Sequence, residues 1–344
     1  MNFCSDNITG ACPSVMQALS RFNEGSVMPY GDDPVTVEAC ERLSGLFETE
    51  ATVFPVATGT AANALALGAL TPPYGAIYCH ENSHTYMDEC GAPEMYTGGA
   101  RLVPLRGDSG KIDPVVLKAA FDSGWAGVVH HMQPAGVSLA QATECGTLYT
   151  PDEVQAIAAI CRNHGLFLHM DGARFANALV GLGCTPAEAS WKAGVDVLSF
   201  GATKNGALAA EAVVFFGDRN TEKFPYQRKR AAHLLSKMRF VSAQLVGYLE
   251  DDVWLSNAAH ANAMAARLAE GLAAIPGIRL AYPVQANEVF VILSKDVARV
   301  LQDAGFLFHP WDSASYRLVT AWNTRVEDVD ALVDCAGAGV RAAE

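Results

Sequence analysis

The chain has 344 residues, half of them apolar, with 37 acidic against 24 basic side chains and a formal net charge of −13. That negative balance opposes a phosphate-backbone partner, which sets nucleic-acid binding aside, and the apolar content argues against disorder. No run reaches the ~18 apolar residues of a membrane helix, no leader pattern is visible at the start, and nine cysteines occur without a C-x-x-C pair, so the expectation is a cytoplasmic protein without membrane, metal centre or disulfide framework.

Residues 1–35, rich in Gly, Pro, Asn and Asp, read as an extended arm. From about residue 50 to residue 217 apolar runs alternate with helix-like segments. Strands are expected at 75–79, 101–105, 137–141, 166–170, 195–200 and 212–216. Several are continuously apolar, the pattern of strands covered on both faces. The segment 126–134 reads as loop, because Gln133-Pro134 interrupts it. A helix over 151–164 has legible ends: Thr150 and Glu153 form a capping box, Pro151 takes the first helical position, and Gly165 follows as the stop. Helical periodicity then runs through 226–249 and 253–274, followed by short strands at 278–283, 289–293 and 316–322 and helices near 295–304 and 326–339. The fold class expected is α/β, with a mostly parallel doubly wound sheet in a large domain over 36–240 and a smaller α+β domain over 241–344.

Two strand ends carry the chemistry. Asp171 closes the run 166–170, and Lys204 follows the run 197–203. Ligands of open α/β sheets gather at the carboxyl ends of strands. A lysine amine there can condense with an aldehyde, and a carboxylate can keep a pyridine nitrogen protonated. Together those are the requirements for holding pyridoxal phosphate. Taken singly each residue has an ordinary reading, Asp171 as a helix cap and Lys204 as a solvated charge. Thr58-Gly59-Thr60-Ala61 opens a helical run whose first N–H groups form an anion site, or simply a capped helix start. His84 can stack on an aromatic ring and move protons near neutral pH. His130 and His131 read first as loop histidines. Glu144 is a base or an ordinary salt-bridged residue. Arg174 reads as a carboxylate or ring-oxygen partner, or a surface arginine. Arg317, alone in an apolar strand, needs an anion, either a substrate carboxylate or a structural ion pair. The stripe Arg228-Lys229-Arg230, with Lys237 and Arg239, is a solvated face, a phosphate contact or a subunit interface.

These residues, in this order, resemble the threonine aldolase family of pyridoxal-phosphate enzymes, in its bacterial low-specificity branch. The resemblance covers nearly the whole chain. It is carried most specifically by Gln141-Ala142-Thr143-Glu144, by His169-Met170-Asp171-Gly172-Ala173-Arg174-Phe175, by Trp191-Lys192-Ala193-Gly194-Val195-Asp196 and by Ser236-Lys237-Met238-Arg239-Phe240. It implies the aspartate-aminotransferase-like fold (fold type I) and a homo-oligomer, a dimer of dimers with sites at the subunit interface. For the cofactor it implies a phosphate turn at Gly59, Thr60 and Ala61, a ring-stacking His84, pyridine and Schiff-base positions at Asp171 and at Thr203-Lys204, and Lys229, Arg230 and Arg239 reaching a partner's phosphate. For the substrate it implies Ser5, Tyr30, Arg174 and Arg317. One departure stands out: many members carry a second histidine in a Thr-His-Asn string where this chain has Glu144.

The reaction implied is retro-aldol cleavage of L-threonine, L-allo-threonine and related β-hydroxy-α-amino acids to glycine and an aldehyde. Lys204, His84 and Glu144 are the catalytic candidates, with His84 favoured over Glu144 as base. Two alternatives remain open. One is another lyase reaction on the same scaffold, such as cleavage of serine, α-methylserine or phenylserine-type substrates or β-elimination. The other is a non-catalytic protein that keeps the cofactor as a ligand.

Overall fold

The apolar runs of the first two-thirds of the chain form one seven-stranded sheet in the computed structural model, which describes all residues except 123, 125, 218–220 and 344. The strands are β1 (Ala51–Val56), β2 (Gly75–His80), β3 (Arg101–Leu105), β4 (Gln133–Ala140), β5 (Phe167–Gly172), β6 (Val197–Gly201) and β7 (Glu211–Phe216). Their order across the sheet is β1-β7-β6-β5-β4-β2-β3. Strands β3, β2, β4, β5 and β6 are parallel, and β7 runs antiparallel to both its neighbours. Every residue of β2, β5, β6 and β7 is buried, which is why these runs show no alternation.

The expected strands appear with shifted ends, and β1 is an addition. Pro55 lies within it, and proline removes a ladder donor. The strand tolerates this because it is at the sheet edge, paired only with β7. Gln133-Pro134, read as interrupting a strand, instead opens β4 opposite Gly75 and Ala76. The helix Pro151–Asn163 has the expected capping box, with Thr150 N–H donating to Glu153 Oε2 at 2.7 Å. The helix expected over 226–249 is broken into Phe224–Arg230 and Arg239–Leu249. Between them Ala232 takes a positive φ of 61°, and His233 Nδ1 accepts the Ala57 N–H just beyond β1 at 3.3 Å. A long-range contact thus overrides local periodicity.

A second sheet is antiparallel, with strands β8 (Arg279–Leu280), β9 (Glu288–Ile292), β10 (His309–Pro310) and β11 (Ser315–Val319) in the order β10-β11-β9-β8. The strands expected at 278–283 and 316–322 are therefore shorter than read. The main core continues through Val241, Leu245 and Tyr248 to Trp254 and Ala258, past the division expected at residue 240. The helix Val253–Ala273 then carries Met264, Leu268 and Leu272 into a second core with Val289, Leu318 and Phe3. The first residues lie along the second sheet, with Phe3 N–H donating to Leu307 O at 2.7 Å and Val319 N–H to Phe3 O at 2.8 Å. Residues 13–21, expected in an extended arm, form the helix Pro13–Arg21, which packs on Arg239–Leu249.

Candidate active site

Parallel strands bring their carboxyl ends to one edge of the main sheet, and there a cavity of about 740 Å³ opens. Its floor comes from the ends of β4 and β5 and the turn after β6, one wall from the helix Gly59–Leu70, and the opposite wall from the second sheet and the N-terminal residues. Ten of the residues singled out from sequence line it: Ser5, Gly59, Thr60, His84, Glu144, Asp171, Arg174, Thr203, Lys204 and Arg317. His130 and His131 are exposed and away from it.

Asp171 is almost fully buried at the end of β5. Its Oδ1 accepts the Ala173 N–H at 2.9 Å and its Oδ2 the Asn63 amide at 2.7 Å. Each oxygen keeps a lone pair for a donor in the cavity. Lys204 stands in the 3₁₀ turn Thr203–Asn205, and that turn is held from both sides. Glu211 Oε2 accepts the Ala202 N–H at 2.8 Å, and the Asn205 amide donates to Tyr248 and to the Trp254 carbonyl, both at 2.7 Å. Burial pushes the Glu211 carboxyl up to about 7.

The helix Gly59–Leu70 starts at the cavity because Thr58 caps it, its Oγ1 accepting the Ala61 N–H at 3.2 Å. Ala61, expected in the phosphate turn, therefore has its N–H committed to the cap and does not line the cavity. The donors left over are those of Gly59 and Thr60.

His84 is tied down at two points. Its backbone N–H donates to Glu144 Oε1 at 2.7 Å, and its Nδ1 lies 2.9 Å from Glu89 Oε1. Glu89 is buried, and the Asn63 amide donates to the same oxygen at 2.8 Å. A hydrogen-bonded chain thus runs His84–Glu89–Asn63–Asp171. The Glu89 carboxylate raises the His84 pKa by accepting its ring proton. Nδ1 is therefore the protonated nitrogen and Nε2 the free one. Glu144 is pushed up to about 7, chiefly by burial, and its Oε2 has no partner.

The arginines differ from each other. Arg174 is gripped by Asp6, with Nε–Oδ2 at 2.7 Å and Nη2–Oδ1 at 3.1 Å, and its Nη1 lies 3.3 Å from Glu288 Oε2. It is thus a buried, paired side chain, neither a surface arginine nor wholly free for substrate. Arg317 donates to the Cys4 carbonyl at 3.4 Å and lies against Trp311, and its buried Nε has no acceptor. Ser5 lines the cavity with its Oγ accepting the Asn7 N–H at 3.1 Å.

Tyr30, Lys229, Arg230 and Arg239 lie outside the cavity. Lys229 Nζ sits 4.4 Å from the Tyr30 ring centre, and Arg239 donates to the Glu24 and Gly25 carbonyls at 3.3 Å. Arg228, read with its neighbours as a solvated stripe, is buried and donates to the Pro55 carbonyl at 3.2 Å.

Sequence reasoning passed over Asn63, Glu89, Glu211 and Glu288. Two of them carried a signal. Asn63 lies one helical turn after Gly59, on the same face, and Glu288 is an acid opening an otherwise apolar strand.

A family model described as beta-eliminating lyase matches residues 2–296. A protein of Pseudomonas sp. named low specificity L-threonine aldolase is 45% identical over 94% of this chain and 93% of its own. One of Pseudomonas aeruginosa with the same name is 46% identical over 96% and 95%. The solved structure of a Leishmania major threonine aldolase superposes with a TM-score of 0.91 at 29% identity, covering 97% of this chain and 98% of that one. The chain belongs to the beta-eliminating lyase family and, within it, to the low-specificity L-threonine aldolases.

Proposed function

We propose that this protein cleaves L-threonine, L-allo-threonine and related β-hydroxy-α-amino acids between Cα and Cβ, releasing glycine and an aldehyde, with pyridoxal 5'-phosphate as cofactor. The observation that carries the reading is one cavity holding Lys204, Asp171, a helix N-terminus and an arginine with an unmet donor.

The residues fit the cofactor. A Cβ built on Gly59 meets nothing within 4 Å, so the cavity is open at the helix start. The Gly59 and Thr60 N–H groups head a twelve-residue helix, where a phosphate is favoured by both unmet donors and the helix dipole. Asp171 has lone pairs to accept a pyridinium N–H, and Lys204 supplies the amine that would hold the aldehyde carbon. Bound pyridoxal phosphate supplies an electron sink for the pair released at Cα.

The chain's own side chains do the rest. Arg317 donates from its unmatched Nε to the substrate carboxylate, which fixes how the amino acid is turned in the cavity. His84 Nε2, left free because Glu89 holds Nδ1, takes the β-hydroxyl proton as the Cα–Cβ bond breaks. Glu144, raised to about 7, is the second carboxylate in reach of that chemistry. Trp311 lies against Arg317 on that side of the cavity.

Tyr30, Lys229, Arg230 and Arg239 we assign to the face that completes a partner subunit's site in a homo-oligomer. An exposed Tyr30–Lys229 pair outside its own cavity supports that reading. Nine free thiols support a reducing, cytoplasmic compartment. Among the described residues no helix is long and apolar enough to cross a membrane.

Incubating the purified protein with pyridoxal phosphate and L-threonine tests the reading. Glycine and acetaldehyde are expected in equal amounts. Release of 2-oxobutyrate and ammonia would instead mark an eliminating enzyme, and no product from any β-hydroxy-α-amino acid would leave a binding protein.

A further inference from the structure

Glu288 is a buried carboxylate at the cavity whose hydrogen-bonding capacity is unmet. It is 1% exposed, and neither carboxylate oxygen has a hydrogen-bond partner. It opens β9 opposite Val319 of β11, and Phe290 stands opposite Arg317. Alternation along the strands puts Glu288 on the same sheet face as Arg317, one diagonal step away. Its Oε2 lies 3.3 Å from Arg174 Nη1. That nitrogen is the end of the Arg174 guanidinium which Asp6 does not hold.

Charge balance then decides what a bound carboxylate does. Without substrate the cluster is two guanidiniums, Arg174 and Arg317, and two carboxylates, Asp6 and Glu288. These four groups balance when Glu288 is ionised, and Lys204 acts on both carboxylates from outside the cluster. A substrate carboxylate adds a third negative charge beside Glu288 and Asp6, both buried, where unpaired charge is costly. Asp6 cannot release the excess easily, because Arg174 and Asn287 both donate to it and the Arg174 guanidinium holds its carboxyl below the usual range against burial. Glu288 has no such donors. Burial raises its pKa against the opposing pull of Arg174, Arg317 and, least, Lys204, and Asp6 adds to the rise. The Cys145 thiol also feels Glu288, from the turn after β4.

We propose that Glu288 is a built-in stand-in for the substrate carboxylate, holding Arg174 Nη1 in the free enzyme and taking up a proton from solvent when substrate binds. The inference rests on the amino-acid reading given above. It makes Glu288 a positioning residue that links substrate affinity to pH. The sign follows from the order of the two states: a nearby carboxylate disfavours a second one, so the carboxyl pKa is higher in the complex than in the free enzyme. Affinity is therefore constant at pH below the free-enzyme pKa, and falls up to tenfold per unit as pH rises between the two values.

Calorimetric titration of the pyridoxal-phosphate-loaded protein with glycine, in two buffers of different ionisation enthalpy, counts the protons taken up on binding. The wild type is expected to take up more protons than Glu288→Gln, by up to one per site, and the excess is expected to vanish at acid pH. Glu288→Ala supplies a second comparison should the amide variant not fold, and the pH course of uptake in the wild type alone supplies a third. Equal uptake in wild type and both variants, or a wild-type count that does not fall at acid pH, overturns the proposal with the amino-acid reading intact. No glycine heat in the wild type overturns that reading and the proposal together.

Discussion

Glu89 decides which nitrogen of His84 is free. Its carboxylate, buried and 2.9 Å from Nδ1, orients the imidazole and raises its pKa. A general base acts in its neutral form, so its activity appears as pH rises through its pKa. In Glu89→Gln the carboxylate acceptor that most raises His84 is gone, while burial, which lowers it, outweighs the remaining pull of Asp171. The acid limb of the kcat/KM profile is therefore expected to move to lower pH. The plateau is expected to fall by roughly 10²- to 10⁴-fold, the range attributed to a well-placed general base. Glu144 titrates close by, at about 7, and gives the contrary outcome a definite form. A limb that stays in place in Glu89→Gln but moves in Glu144→Gln would make Glu144 the base.

At the scale of elements, what could be read from the sequence was whatever neighbouring residues settle among themselves. Thr150, Pro151 and Glu153 specify a helix start within one turn. Parallel runs ending in Asp171 and Lys204 place both at one sheet edge, because all such strands end together. The turn Thr58-Gly59-Thr60 was legible for the same reason. What escaped depends on contacts between distant segments. The proline of β1 is acceptable only at an edge, and edge position is a property of the whole sheet. The break after Arg230 answers to Ala57, 176 positions from His233. The site shows the same division. Arg174 was visible as a basic residue after Asp171, but its partner Asp6 is 168 positions away. Asn63 meets Asp171 across 108 positions. Such pairings convert ordinary polar residues into site components, and no local pattern announces them.

On the scale of the whole molecule, the cavity is walled by two sheets and the N-terminal residues, yet the basic residues Lys229, Arg230 and Arg239 stand outside it. If they serve a partner's phosphate, a stable homo-oligomer is required. Sedimentation of the holoprotein is expected to give at least a dimer, and a fully active monomer would remove these residues from the site. Within each subunit the cofactor aldehyde is expected on one lysine, Lys204, just past the end of the buried strand β6. Borohydride reduction of the protein saturated with pyridoxal phosphate, followed by peptide mass mapping, tests it most directly. A pyridoxyl-phosphate adduct is expected on Lys204 and absent from Lys204→Ala; an adduct confined to other lysines, or none with cofactor bound, would overturn the assignment of Lys204.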